Sequence, residues 1–343
     1  MFSRFVILMP IAGLLAMCPP LRSDDVVRPS ADDVVPRSAD DVVAPSAHGD
    51  WIPLPTLGGK QFWSDELFFR GWRIQRHAVT EHHRLLDPND RRHGWGTFEQ
   101  CRAMLEQVKR EQGLEPMSGR AVVVLHGLIR SRESMDPLCD YLEKTGGFTV
   151  VNVGYASTRR PIAEHARSLA RLIEHLDGID EVNFVGHSMG NIVIRHYLAD
   201  QTDPATGRLR QRRLKRMVMI APPNHGSYLA KALAQDGTFA AINGTPGQEL
   251  GVGWKELEKR LAVPPFEFGV IAGGRGDEGG FNPILPGDDD GTIRVATTRL
   301  EGEADFALVP VLHSFIMQDR RVKEYVLRFL REGRFREPVT PAE

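Results

Sequence analysis

The chain has 343 residues, of which 41% are hydrophobic and 26% charged, with a formal net charge of -2. That balance supplies a sizeable core and excludes a mini-protein, a fully disordered chain and a field-driven polyanion binder, so no nucleic acid is expected as a partner. The cysteines Cys18, Cys101 and Cys139 have neither zinc-site pairing nor disulfide-scaffold density.

Residues 1–23 place Arg4 ahead of an apolar stretch from 5 to 17, too short for a transmembrane helix but suited to a secretory leader. This predicts an exported protein: periplasmic, secreted or envelope-associated. Prolines follow Cys18 and no small-residue cleavage site stands out, so an uncleaved anchor, a lipid on Cys18 and a cytoplasmic chain are the alternatives. Residues 24–50 repeat DDVV at Asp24, Asp32 and Asp40. The unit is too short to bury anything and predicts a disordered, extended tether; one acidic pair per repeat offers too few oxygens for calcium.

Over 51–118 the residues Trp63, Phe68, Phe69, Trp72, Phe98, Met104, Leu105 and Val108 fall at mixed helical spacings. They predict a helical N-terminal segment without a strand-rich unit. His77, His82, His83 and His93 lack an acidic partner at ligand spacing and read as surface or helix-packing residues rather than a metal site.

From residue 120 short β-branched runs alternate with amphipathic helices, as in βαβ units whose parallel sheet is buried on both faces. The strand candidates are AVVVL (121–125), FTVVNV (148–153), VNFV (182–185), RMVMIA (216–221), FGVIA (268–272) and FALVPV (306–311). Ile162, Ala166, Leu169, Ile173 and Leu176 share one face of a helix opened by Pro161 and closed by Gly178, and a last helix covers about 321–330. The basic run 208–216 reads as a solvated loop. An α/β domain over 119–335 follows, with 222–265 as a small cap.

Gly186-His187-Ser188-Met189-Gly190 lies between a buried strand and a helix, the context in which G-x-S-x-G presents a nucleophilic serine at a strained turn. A serine hydroxyl needs a base, and the base an orienting acid, in chain order serine, acid, histidine. Only His196, His225 and His313 follow Ser188, and His313, directly after the last strand, is the candidate general base. For the acid, Asp288, Asp289 and Asp290 share one loop. Asp290 is preferred because Gly291 follows it in a turn, with Asp289 next; calcium binding by this triplet would need further oxygens. The amides of Met189 and Leu128 are the candidate oxyanion donors. His126 and His187 stand in the wrong chain order for a base and read as positioning or packing residues.

HGL at Leu128, GHSMG at Ser188, DGTI at Asp290 and LH at His313 together resemble the α/β-hydrolase superfamily, and within it the bacterial lipases and esterases. The resemblance covers about 120–330 and implies an α/β-hydrolase fold, here with a mostly parallel sheet of about six strands and helices on both faces. It implies a serine esterase or lipase working through an acyl-enzyme, with no cofactor, on a small-molecule or lipid ester, the latter with association at a membrane surface. The calcium-binding lipases carry an acidic residue two positions after the histidine; Phe315 stands there, and no metal is carried over. The loop from Ala221 resembles the entry to the family's variable cap, whose apolar residues either roof an acyl pocket or pack on the sheet. An acyltransferase or thioesterase using the same triad, and a non-catalytic envelope binding protein, are the rival functions.

Overall fold

In the computed structural model, residues 54–55, 59–233 and 237–337 are described; the expected leader and tether lie outside them. Residues 51–118 correct the sequence reading. They form a five-stranded antiparallel sheet from β1 (Leu54–Pro55), β2 (Trp63–Phe69), β3 (Trp72–His77), β4 (His83–Leu86) and β5 (Arg91–Gly96), in the order β1-β5-β4-β3-β2. Among the described residues of this stretch only α1 (Phe98–Glu111) is a long helix, opened by a capping box in which the Thr97 hydroxyl accepts from the Gln100 amide and the Gln100 side chain accepts from the Thr97 amide.

The strands form because Arg70 (φ 47°) and Gly71 (φ 86°) make a two-residue hairpin turn that pairs Phe69 with Trp72. Asp87 then accepts from the amides of Asn89 and Arg91 to turn β4 into β5. The usual alternation of apolar and polar residues is absent because polar side chains are buried too: Ser64, Asp65, Glu66, Arg73, Gln75 and Arg84 are all inside. The histidines of this stretch sit in or beside the strands, with His77 and His82 stacked at 5.1 Å and Trp63 edge-on to both.

The six apolar runs from 121 to 311 are the six strands of a parallel sheet: β6 (Gly119–Leu125), β7 (Thr149–Val153), β8 (Ile179–His187), β9 (Leu214–Ile220), β10 (Phe268–Gly273) and β11 (Asp305–Val309). Their order is β11-β10-β9-β8-β6-β7, and every pairing is parallel. Side chains alternate between faces, so Ala121, Val123 and Leu125 enter one core layer while Val122 and Val124 enter the other.

On the first face lie α3 (Ile162–Glu174) and α4 (Met189–Gln201), together with apolar residues of the antiparallel sheet; on the second lie α2 (Asp136–Gly146) and α8 (Arg320–Glu332). Both sheets belong to one compact unit. Glu66 joins them: it pairs with Arg76 (3.0 Å) and His83 (3.2 Å) within the antiparallel sheet and with Arg171 on α3. In the basic run 208–216, Arg213 is not simply solvated, since it donates to the carbonyls of Ile173 in the last turn of α3, of Leu176 just beyond it and of Ile179 at the start of β8.

Between β9 and β10 come α5 (Tyr228–Ala232), α6 (Gly237–Leu250) and α7 (Trp254–Glu258), in the stretch expected to be the cap. Glu249 of α6 accepts from the Ile162 amide at the start of α3 (2.9 Å), satisfying one of that helix's unpaired donors. Cys101 and Cys139 are buried free thiols and do not pair. Among the described residues, no helix is long and apolar enough to cross a membrane.

Candidate active site

In an open parallel sheet the loops beyond the carboxyl ends of the strands face the crevice where the chain changes direction. Here that point lies between β6 and β8, and the residues expected to act follow strand ends: Leu128 after β6, Ser188 and Met189 after β8, Asp290 after β10 and His313 after β11.

Ser188 occupies the turn from β8 into α4 with φ 53° and ψ −125°, a sparsely populated region that stores roughly 1–3 kcal/mol of strain. The turn is held from below. The Ser188 amide donates to Ile220 O (2.9 Å), and the Asn191 side-chain amide donates to Ser188 O (3.0 Å) and Ile220 O (3.1 Å). Asn191 went unnoticed in the sequence; its only signal was a side chain with two amide donors three residues past the serine. The elbow also demands glycine, because a Cβ on Gly190 would lie 2.6 Å from Leu125 O and 2.8 Å from His126 O. That close approach packs the end of β6 against the start of α4.

Met189 opens α4 and is buried, so its amide is one of the donors that no helical turn can satisfy. Leu128 lies in a turn closed by the Arg130 amide on Gly127 O (3.3 Å), with Ile129 at φ 63°. Among the described residues neither the Leu128 nor the Met189 amide is committed to a backbone partner. The two segments touch: a Cβ on Gly127 would stand 3.0 Å from the Ser188 Cβ. Helix α6 reaches the same place, since a Cβ on Gly247 would lie 3.8 Å from Leu128 Cδ2.

His313 and Asp290 meet directly. The imidazole Nδ1–H donates to Asp290 Oδ2 at 2.6 Å, which in the neutral ring makes Nε2 the acceptor nitrogen, the tautomer a general base requires. The other carboxylate oxygen accepts from the amides of Thr292 (3.0 Å) and Ile293 (2.7 Å), so Asp290, 1% exposed, is fully satisfied.

Its two neighbours do other work. Asp288 accepts from the amides of Arg275 and Gly276 across its loop. Asp289 accepts from the amides of Asn282 and Gly291 and braces the acid turn, while burial raises its pKa. His196 bonds Asp200 on its own helix and His225 lies 3.8 Å from Glu258, so neither joins the pair.

His187 connects the serine turn to the histidine loop. Its Nε2–H donates to His313 O (3.1 Å) and its ring lies 4.7 Å from that of His313. Burial, with the neighbouring His313 adding to it, holds His187 well below the ordinary histidine range and therefore neutral. His126 is likewise neutral: burial pulls it down to about 4, and it stacks on Tyr155 at 4.2 Å while the Tyr155 hydroxyl donates to His126 O (2.5 Å). Among the described residues no hydrogen bond joins the Ser188 hydroxyl to His313. In substrate-free sites such contacts often tighten only once substrate is bound.

A six-stranded parallel sheet covered on both faces, with a strained serine turn after its central strand, defines the α/β-hydrolase fold, and this chain is an α/β-hydrolase-fold protein. Residues 120–245 match the family model for that fold.

Among solved structures, the chain is similar to the mature form of lipase BlEst2 from Bacillus licheniformis, at 19% identity over 64% of this chain and 95% of that one, with a TM-score of 0.48. It is also similar to the metagenomic carboxyl esterase MGS0156 (17% identity, 58% and 66% covered, TM-score 0.44). A third is the phospholipase PlaB from Legionella pneumophila in complex with thio-NAD (16%, 63% and 59%, TM-score 0.46). No curated protein matches the sequence.

Proposed function

We propose that this chain is a serine hydrolase that cleaves carboxylic esters, with Ser188 as nucleophile, His313 as general base and Asp290 as its orienting acid. Ser188 Oγ attacks the acyl carbon as its proton passes to His313 Nε2, and the imidazolium then protonates the departing alcohol, leaving an acyl-enzyme. Water attacks that ester by the reverse proton route and releases the acid. The amides of Leu128 and Met189 hold the negative oxygen of each tetrahedral intermediate. This chemistry calls for no cofactor.

The observation that carries the reading is the 2.6 Å contact between His313 Nδ1 and buried Asp290, on a loop that packs through His187 against the strained Ser188 turn. An apolar rim supports an ester with an apolar acyl part: Ile129, Leu312 and Phe315, on the loops that carry Leu128 and His313, are all exposed. The test is turnover of chromogenic esters by the wild type against Ser188→Ala and His313→Ala of unchanged circular dichroism; full activity in either variant rules the mechanism out.

The same groups would serve acyl transfer or thioester cleavage, because the acceptor is chosen by pocket shape. A panel of oxygen esters, thioesters and alcohol acceptors separates these reactions. Export rests on residues 1–23 alone.

A further inference from the structure

Where the antiparallel sheet meets the loop after β6, a half-open cavity of about 50 Å³ is lined by residues of β2, β3 and β4, by the turn that follows β4, by His126 and residues 131–133, and by Gly154 and Tyr155. Its walls are unusually polar for an interior. Asp65 accepts from Gln75 Nε2 (2.7 Å) and from the Gly154 amide (2.6 Å), and Gln75 Oε1 accepts from Arg84 Nε (2.9 Å). The relay ends on Arg84, which is 7% exposed and lies 3.9 Å over the Trp63 ring.

Among the described residues, the two terminal nitrogens of Arg84 make no hydrogen bond. The other arginines of the cavity are engaged, since Arg73 and Arg132 both pair with Asp90. A desolvated cation whose outer fork is unmatched is a costly arrangement unless something answers it. Burial also pulls the Arg84 guanidinium down to about 10, which keeps it charged at neutral pH.

We propose that this cavity is a binding site for a small monocarboxylate, its two oxygens accepting from the two terminal nitrogens of Arg84. A planar carboxylate matches the guanidinium fork in a bidentate pair. The volume admits about four water-sized spheres at ~10–15 Å³ each, enough for an acid of two or three carbons and too little for a lipid or nucleotide. The carboxylates Asp90 and Glu133 in its lining disfavour a dianion such as phosphate. His126, also in the lining, donates from Nδ1 to Gly127 O. Because His126 immediately precedes Gly127 and Leu128, occupancy would stiffen the segment beside the serine.

The test is the melting temperature of the full chain titrated with sodium acetate, propionate, glycolate, acetamide, phosphate and chloride at matched ionic strength. The expected result is a saturable rise of about 2 °C or more with the carboxylates and none with acetamide or chloride. Arg84→Gln abolishes it, and protein blocked at the active-site serine by a fluorophosphonate retains it. Equal shifts with acetate and chloride, a preference for phosphate, or loss of the acetate effect on blocking the serine each overturn the proposal. Should Arg84→Gln fail to fold, the wild-type comparison of acetate with acetamide decides alone. Because the readout is binding, it stands or falls separately from ester turnover.

Discussion

His313 and Asp290 are tied to each other twice: the imidazole donates from Nδ1 to the carboxylate at 2.6 Å, and the His313 amide donates to the Asp290 carbonyl oxygen at 2.8 Å. The loops after β10 and β11 therefore move as one, and the ring is fixed in both tautomer and position. Replacing Asp290 with Asn keeps the backbone bond but lets the ring take the wrong tautomer. The expected outcome is a fall in kcat of about 10³–10⁴-fold with KM little changed, measured by steady-state ester hydrolysis. Activity within tenfold of wild type would assign the orienting role elsewhere.

The neighbouring acid separates by a different measurement. Asp289→Ala strips the charged partner from the part-buried amides of Asn282 and Gly291, so it lowers stability by about 1–3 kcal/mol in chemical denaturation. Turnover per folded molecule stays within about tenfold, because Asp289 does not touch the histidine. The reverse pattern, unchanged stability with lost turnover, contradicts this division of roles.

Gly190 tests the packing of the serine turn. Gly190→Ala forces a methyl against the carbonyls of Leu125 and His126 at the end of β6. The end of β6 and the start of α4 must part, at about 1–3 kcal/mol, and the Leu128 amide moves with them. Both the denaturation midpoint and kcat fall together; a variant with wild-type values in both would mean that the segments are not in contact.

The parallel sheet was legible in the sequence because each of its strands is buried on both faces, which demands a continuous β-branched run such as AVVVL or FTVVNV. The antiparallel sheet was not, because its strands bury Asp65, Gln75, Arg84 and Glu66 where apolar residues would have shown a period of two. The Arg70-Gly71 turn between Phe69 and Trp72 was the readable signal. For the site, chain order and spacing singled out Ser188 and His313. What separates Asp290 from Asp288 and Asp289 is which carboxylate reaches the imidazole, a matter of three-dimensional direction that adjacent identical residues do not reveal. Asn191, His187 and Tyr155 act through hydrogen bonds to backbone carbonyls, which leave no pattern in sequence.

Acid stability follows from three buried neutral histidines. Burial holds His126 down to about 4; burial, with the nearby His126 adding to it, holds His165 to about 3; and His187 is also depressed. Unfolded, each takes up a proton near pH 6.5. Below that pH the unfolded chain binds protons that the folded one refuses. The stabilisation is therefore complete above pH 6.5 and is lost on acidification toward each folded pKa, by about 1.4 kcal/mol per pH unit for each histidine. Urea midpoints should fall clearly between pH 7 and pH 5, above the range where most carboxylates titrate, and a flat profile would contradict the burial of these rings.

Fluorophosphonate labelling addresses the central claim most directly, since it needs no knowledge of the natural ester. Intact mass spectrometry of the wild type is predicted to show one covalent adduct, mapped to Ser188 and absent from Ser188→Ala, with labelling slowed at least about 10³-fold in His313→Ala. Labelling of Ser188→Ala to the same extent as wild type, or no adduct on folded wild-type protein, would contradict it.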